Sequence, residues 1–306
     1  MTALALAVTL ALPRPPSATA AEEAPAAPAA PATAAGLPDG AAGNGGVAGA
    51  PACLRAAGVE DGDRLTVDDP GTGPREIRLA GILAPTAADT TADTTAADTG
   101  ADASGDGDSG DDDRAGGLAE AARRALADMV DGQCLVLAPA VPPTDRYGRL
   151  VATVRRDDGV PIQDPLVTGG LARVVPEVGD TGVARSLLAS EEAARRSRRG
   201  IWATRRYRVR TAEEVAGDAG SYQLVEGRVV QAMRVGPRLY LNFGEDWQTD
   251  FTVVIPARAL PRFAAAGLDP AALGGRTVRV RGMIEAFNGP MIALDDPLAL
   301  EVLDRR

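Results

Sequence analysis

Chemistry in this chain falls to arginine and the carboxylates. Its 306 residues include 32 Arg but no Lys and no His. That composition excludes histidine general bases, His-ligated zinc, Ser-His-Asp triads, lysine Schiff bases and the P-loop lysine. Asp, Glu, Arg, Tyr, Ser/Thr and the backbone remain. Such residues gather in Asp61-Gly62-Asp63, around Arg78 in the run Glu76–Leu83, and in Asp145-Arg146-Tyr147-Gly148-Arg149. Asp106-Gly107-Asp108 fails as a calcium loop, because Gly110 stands at the third acid position and the bidentate Glu is absent.

The net charge of −10 is unevenly spread. Residues 87–117 carry nine Asp and one Arg, whereas 53–86 and 118–306 together balance 30 Arg against 30 acids. Apolar residues make up 45% of the chain and aromatics only 3%, so an aliphatic core is expected. At the N-terminus, the apolar run Ala3 to Leu12 followed by Ala18-Thr19-Ala20 reads as an export signal over 1–20, although a basic n-region is missing. An Ala-rich tail is the other reading. The run is too short to span a bilayer, and no other segment is a candidate span. Residues 21–52 read as a disordered Ala/Pro/Gly-rich linker, and 87–117 as a disordered acidic insert.

Between and beyond these lie two globular regions. The first, 53–204, predicts strands at Arg64–Val67 and Glu76–Leu83 around a Pro70-Gly71 turn. Further strands are expected at Cys134–Leu137 and Leu150–Val154. Leu118, Ala122, Ala125 and Met129 share one face of a helix over Leu118–Val130. Gln163–Val174 and Val183–Arg198 are two more expected helices. The second region, 221–304, predicts strands at 222–230, 239–243 and 251–255, a helix at 258–266, then strands at 277–284, 291–294 and 299–303. Three strands, a helix and then a strand followed by a last strand pair is read as the order of a small OB-type barrel. Residues 205–220 read as the hinge between the two regions.

The first region resembles the staphylococcal nuclease (thermonuclease) family. The resemblance rests on an ordered series: Asp61-Gly62-Asp63, Ile77-Arg78-Leu79-Ala80-Gly81-Ile82, Ala84-Pro85, Asp145-Arg146-Tyr147-Gly148-Arg149, Gly170-Leu171-Ala172-Arg173-Val174, Ser190-Glu191 and Gly200-Ile201-Trp202. The fold class that it implies is mainly β with helices (α+β): an OB-fold thermonuclease-like barrel, followed here by a second, OB-like one. By that resemblance Arg78 and Arg149 stabilise the charge on a pentavalent phosphate, using forked guanidinium contacts. Asp63 matches a calcium ligand. Tyr147 stacks on a base or sugar, or packs the loop; Asp145 steers a ligand or caps the turn.

The match breaks at Leu83-Ala84-Pro85-Thr86. Leu83 stands where the family places its second calcium carboxylate, and Thr86 where it places the general base. Neither side chain supplies that chemistry. Asp89 is a substitute carboxylate to consider. Two functions follow. One is a nuclease that hydrolyses phosphodiester bonds of DNA or RNA with a divalent metal, calcium, at weakened or lost activity. The other is a catalytically inactive nucleic-acid-binding or envelope interaction protein, periplasmic or secreted in either case. Cys53 and Cys134, the only cysteines, favour a disulfide in an exported protein, since the first and fourth strands of an OB barrel are neighbours; a pair of buried free thiols is the other reading. In the second region Tyr240, Phe243 and Trp247 are candidate aromatic platforms for nucleic acid, or core and turn residues. Residues 207–306 hold 12 Arg against 13 acids, so charge gives that role no support.

Overall fold

The computed structural model describes residues 53–86, 109–176, 180–246 and 248–304, with the side chains of 109–115 left aside. The expected signal segment, the linker up to Ala52, the insert through Asp108, Asp89 and Trp247 all lie outside the described residues. Within them the first region builds β1 (Arg55–Asp61), β2 (Arg64–Asp69), β3 (Gly73–Leu79), β4 (Ile82–Leu83), α1 (Ser109–Val130), β5 (Leu135–Thr144), β6 (Leu150–Arg156), α2 (Gln163–Thr168), β7 (Arg173–Val174) and α3 (Thr181–Arg196). One sheet has the order β1-β2-β3-β6-β5, antiparallel except for β3 beside β6. A bridge between Leu54 and Leu135 brings its two edges together.

Alternation along the strands explains this sheet. Leu65 and Val67 of β2, Ile77 and Leu79 of β3, and Ala152 and Val154 of β6 are fully buried against Ala122, Leu126 and Val130 of α1. The intervening residues, Arg64, Glu76 and Arg78 among them, occupy the opposite face. Buried Gln163 ties the inner strands, donating to the carbonyls of Ala80 and Ala152 and accepting from Val154 N–H. Cys53 and Cys134 are joined by a disulfide with Cα atoms 5.1 Å apart and a sequence separation of 81. On chain entropy alone such a cross-link stabilises by about 4 kcal/mol.

Two helices differ from expectation. α1 starts at Ser109, nine residues early, so the end of the Asp-rich stretch is helical; acidic residues suit a helix N-terminus. α2 stops at Thr168, because Gly169-Gly170 ends the helix and Arg173-Val174 pairs as β7 with β4. Gly170 at φ +67° and Gly200 at φ +52° lie so close that a Cβ on either would sit about 2 Å from backbone of the other's segment. That contact packs the end of α2 against the end of α3, and it explains the glycines of both motifs.

The second region contains β8 (Arg210–Thr211), β9 (Tyr222–Arg228), β10 (Gln231–Val235), β11 (Arg238–Asn242), β12 (Thr252–Pro256), α4 (Leu260–Ala265), β13 (Thr277–Met283), β14 (Glu285–Ala286), β15 (Pro290–Ala293) and β16 (Leu300–Val302). Its strands form two sheets, β10-β11-β12-β15-β14 and β16-β13-β9-β8, rather than one closed barrel. The first of these repeats the strand order of the nuclease-like region, with β12 parallel to β15 as β3 is to β6. Both sheets share one core, which includes Leu241, Val253, Phe263 and Val280. The stretch 205–220 is packed rather than hinge-like: Tyr207 and Val215 are buried, and β8 hydrogen-bonds beside β9.

The two regions are riveted through buried polar groups. Arg281 of β13, 2% exposed, donates to Glu191 of α3, 1% exposed, at 2.6 Å. It also reaches Val174 O at 3.3 Å and Glu301 at 3.1 Å. Glu191 in turn accepts from Val174 N–H at 2.6 Å. Arg173 donates to the Tyr222 carbonyl and lies over the rings of Tyr207 and Tyr222, while the Tyr222 hydroxyl donates to Val174 O. An apolar cluster of Ala194, Ile201, Trp202, Tyr207, Tyr222 and Leu224 fills the remaining space.

Removing one partner of a buried pair strands the other charge. Arg281→Ala is therefore expected to cost about 3–5 kcal/mol in urea unfolding. Arg281→Met combined with Glu191→Gln, which keeps an acceptor for Val174 N–H, should recover most of that loss. Equal destabilisation by the single and double variants would show that the pair itself matters little.

Candidate functional site

The outward face of the first sheet carries the site. Register places Arg64 of β2 directly opposite Arg78 of β3, with Val151 of β6 on the other side of Arg78. Two like charges side by side repel unless neutralised. Arg64 is neutralised, by Asp61 at 2.5 Å and Glu76 at 3.5 Å. Arg78 is not: among the described residues its guanidinium has no hydrogen-bond or ion-pair partner.

Arg149 is held differently. The loop between β5 and β6 turns on Asp145, whose Oδ1 accepts from Tyr147 N–H and Arg149 N–H at 2.9 and 3.1 Å. Asp145 Oδ2 accepts from Arg149 Nε at 2.7 Å, and Glu76 lies 3.5 Å from the same guanidinium. Partial burial pushes the Asp145 carboxyl up, but the Arg149 and backbone donors outweigh it and leave it below the usual carboxylate range. Asp145 is thus the turn cap and the anchor of Arg149. Tyr147, 65% exposed, has Arg146 and Arg149 within 4.7 and 5.0 Å of its ring. Arg75, Glu76, Thr144, Tyr147, Gly148, Arg149 and Leu150 line an open cleft of about 270 Å³ here.

Asp63 sits behind this face, 3% exposed. Its carbonyl accepts from Leu79 N–H at 2.8 Å, which fixes it next to Arg78, and its Oδ2 accepts from Ala84 N–H at 3.3 Å. Gly62 makes the turn possible, since a Cβ there would lie 2.7 Å from that of Ala84 and 2.5 Å from that of Ala122. Burial, reinforced by neighbouring Asp61, pushes the Asp63 carboxyl up to about 7, against the lowering influence of Arg78.

Calcium, which the family resemblance implies, finds no matching donor set in these residues. Asp63 is enclosed and already accepts a backbone N–H, and Asp61 is engaged by Arg64. Leu83 packs against the Trp202–Tyr222 cluster, so the position that would complete the site is part of the domain interface. No group of three or more acidic or cysteine residues converges among the described residues.

The second region contributes less than its aromatics suggested. Phe243 is 7% exposed and packs on Phe251, ring centroids 4.9 Å apart, so it is a core residue and presents no face to a ligand. The cause is the end of β11, where Phe243 N–H pairs with Phe251 O and the chain folds inward. Tyr240 is half-buried on the outer face opposite Met233. Glu76 and Arg64 of the outward sheet face, and Arg146 of the loop beside Tyr147, are not singled out by the sequence. The two-residue spacing of Glu76 and Arg78 on one strand was the available signal.

Residues 76–204, less than half of the chain, match the family model of staphylococcal nuclease homologues, so this segment is similar to that family. The matched residues begin within β3, so the Asp61-Gly62-Asp63 turn precedes them. No curated protein matches the chain. No helix among the described residues is long and apolar enough to cross a membrane.

Because the folded state holds the Asp63 proton more tightly than the unfolded chain, this group favours folding below about pH 4. That contribution is lost as pH rises towards 7, by about 4 kcal/mol in all. Asp63→Asn should flatten the stability profile between pH 4.5 and 8 and exceed wild type at pH 8. Parallel profiles for the two proteins in urea unfolding would refute the assignment.

Proposed function

We propose that this protein acts outside the cytoplasm and binds the phosphate backbone of nucleic acid through Arg78 and Arg149 without efficient hydrolysis. The observation that carries the reading is Arg78: a guanidinium with no hydrogen-bond or ion-pair partner among the described residues, on the same sheet face as the anchored Arg149. One arginine is pre-set by Asp145, and the other is available for a phosphate oxygen. Tyr147 adds an exposed ring beside them for a base or sugar. The commitment of Leu83 to the interface, with Thr86 in the base position, supports loss of efficient turnover. The Cys53–Cys134 disulfide and the N-terminal apolar run support an oxidising, extracytoplasmic location.

A second reading, a residual phosphodiester hydrolase, is favoured by Glu76. Its carboxylate lines the cleft beside Arg149 and Tyr147, where it is placed to accept a proton from water.

Titration of labelled single- and double-stranded DNA and RNA tests the first reading. Arg78→Ala with Arg149→Ala should weaken binding at least tenfold, and unchanged affinity in a folded double variant would end it. Cleavage assayed with calcium, with other divalent ions and with chelator tests the second, for which turnover abolished by Glu76→Gln is the required result. Restoring the family residues with Leu83→Asp and Thr86→Glu should lower stability by about 2–4 kcal/mol, because a carboxylate then faces the Trp202–Tyr222 cluster. Added calcium should offset part of that loss. A double variant as stable as wild type in chelator would show that Leu83 does not serve the interface.

A further inference from the structure

The chain leaving α3 carries an arginine density found nowhere else in the molecule. Residues 195–210 contain eight Arg and no acidic residue. Three carboxylates from neighbouring segments pair with four of them: Glu192 with Arg195 and Arg196, Glu214 with Arg208, and Asp218 with Arg210. The Arg196 contact is long, 3.6 Å, and its side chain stays 72% exposed. Among the described residues, Arg198, Arg199 and Arg206 have no carboxylate within ion-pair distance; Arg199 makes one 3.4 Å bond to Thr168 O. Arg198 and Arg199 are exposed and Arg206 half-buried.

Backbone geometry is an independent pointer. Arg198 follows the end of α3 with φ +50°, a left-handed conformation that glycine adopts freely and a long side chain does not. The next turn, Gly200–Ala203, is fixed from both sides. Ile201 N–H donates to Gly170 O at 2.9 Å, and Ile201 and Trp202 are buried. Arg198 and Arg199 thus directly precede a packed turn, with Arg198 held in a conformation that a helix end alone would assign to Gly or Asn. Strained residues kept at exposed, charged positions are a feature of ligand-holding surfaces.

We propose that this arginine-rich turn, built on Arg198, Arg199 and Arg206, is a second phosphate-tracking surface that holds a nucleic-acid strand outside the Arg78–Arg149 cleft. The proposal rests on the nucleic-acid reading given above. The chemistry recognised is a run of phosphodiesters: several fixed positive charges, forked donors suited to phosphate oxygens, and no exposed aromatic platform among them. Binding here is sequence-independent and driven by counterion release.

Fluorescence anisotropy of the full chain with a labelled single-stranded DNA oligonucleotide, at several salt concentrations, tests it. Arg198→Ala/Arg199→Ala/Arg206→Ala should lower affinity at low salt about tenfold or more and reduce the slope of log affinity against log salt by about 2. The corresponding triple Lys variant should retain most of the slope, which separates charge from loss of fold. A triple Ala variant that melts like wild type and binds DNA with unchanged slope would overturn the proposal. If Arg78→Ala/Arg149→Ala alone abolishes binding, the cleft reading stands and this surface falls. Absence of binding by folded wild type overturns both. Binding to anionic phosphatidylglycerol vesicles but not to the oligonucleotide would reassign the patch to a membrane surface.

Discussion

The buried pair of Arg281 with Glu191 is the constraint on which the arrangement of the molecule depends. Both groups are almost completely withdrawn from water, so their desolvation is costly and the pair contributes little net stability over an apolar alternative. What it supplies is position. An aliphatic contact would tolerate sliding between the two regions, whereas a guanidinium that must reach Glu191, Glu301 and the Val174 carbonyl together admits one placement. Arg173 and Tyr222 repeat the same device a few residues away.

Val174 links this docking to the site. Its N–H is bound by Glu191 and its carbonyl by Arg281 and Tyr222, so β7 is held from the second region. β7 pairs with β4, and β4 runs into Ala84, whose N–H closes on Asp63 beside Arg78. Leu83 lies on that path and turns its aliphatic chain to the interface cluster. The residue that by resemblance stands at a metal-carboxylate position is thus part of the packing between the two regions. A carboxylate at that half-buried position would lie against the apolar cluster.

The elements that could be read from the sequence are those whose signals are local. β2, β3 and β6 show their alternation within seven residues, and Asp61-Gly62-Asp63, Tyr147-Gly148-Arg149 and Gly200-Ile201-Trp202 mark turns by chemistry that acts within four. Phe243 was misleading because aromatic type alone does not tell a core ring from an exposed platform; the deciding fact is its pairing with Phe251. Glu191 and Arg281 were illegible for a different reason. They stand 90 residues apart, on a helix and a strand whose patterns merely permit a charged residue there. The packing of 205–220 was hidden likewise, since Tyr207 finds its neighbours in Arg173 and Tyr222 and not in its own segment.

A chain whose cations are all arginine also governs its site differently from one that mixes them. Arginine stays charged across the working pH range, so a phosphate surface here cannot be switched off by deprotonation; it is tuned by nearby carboxylates. Around the cleft that tuning is graded. Arg64 is taken up by Asp61 and Glu76, Arg149 is fixed by Asp145 while keeping its face towards Tyr147, and Arg78 is left open beside a carboxyl that burial tends to keep protonated. An ionised Asp63 would pair electrostatically with Arg78 and weaken its hold on an anion. A protonated one leaves the full guanidinium charge to the ligand. The burial that encloses Asp63 therefore also weakens its electrostatic hold on the neighbouring Arg78 guanidinium.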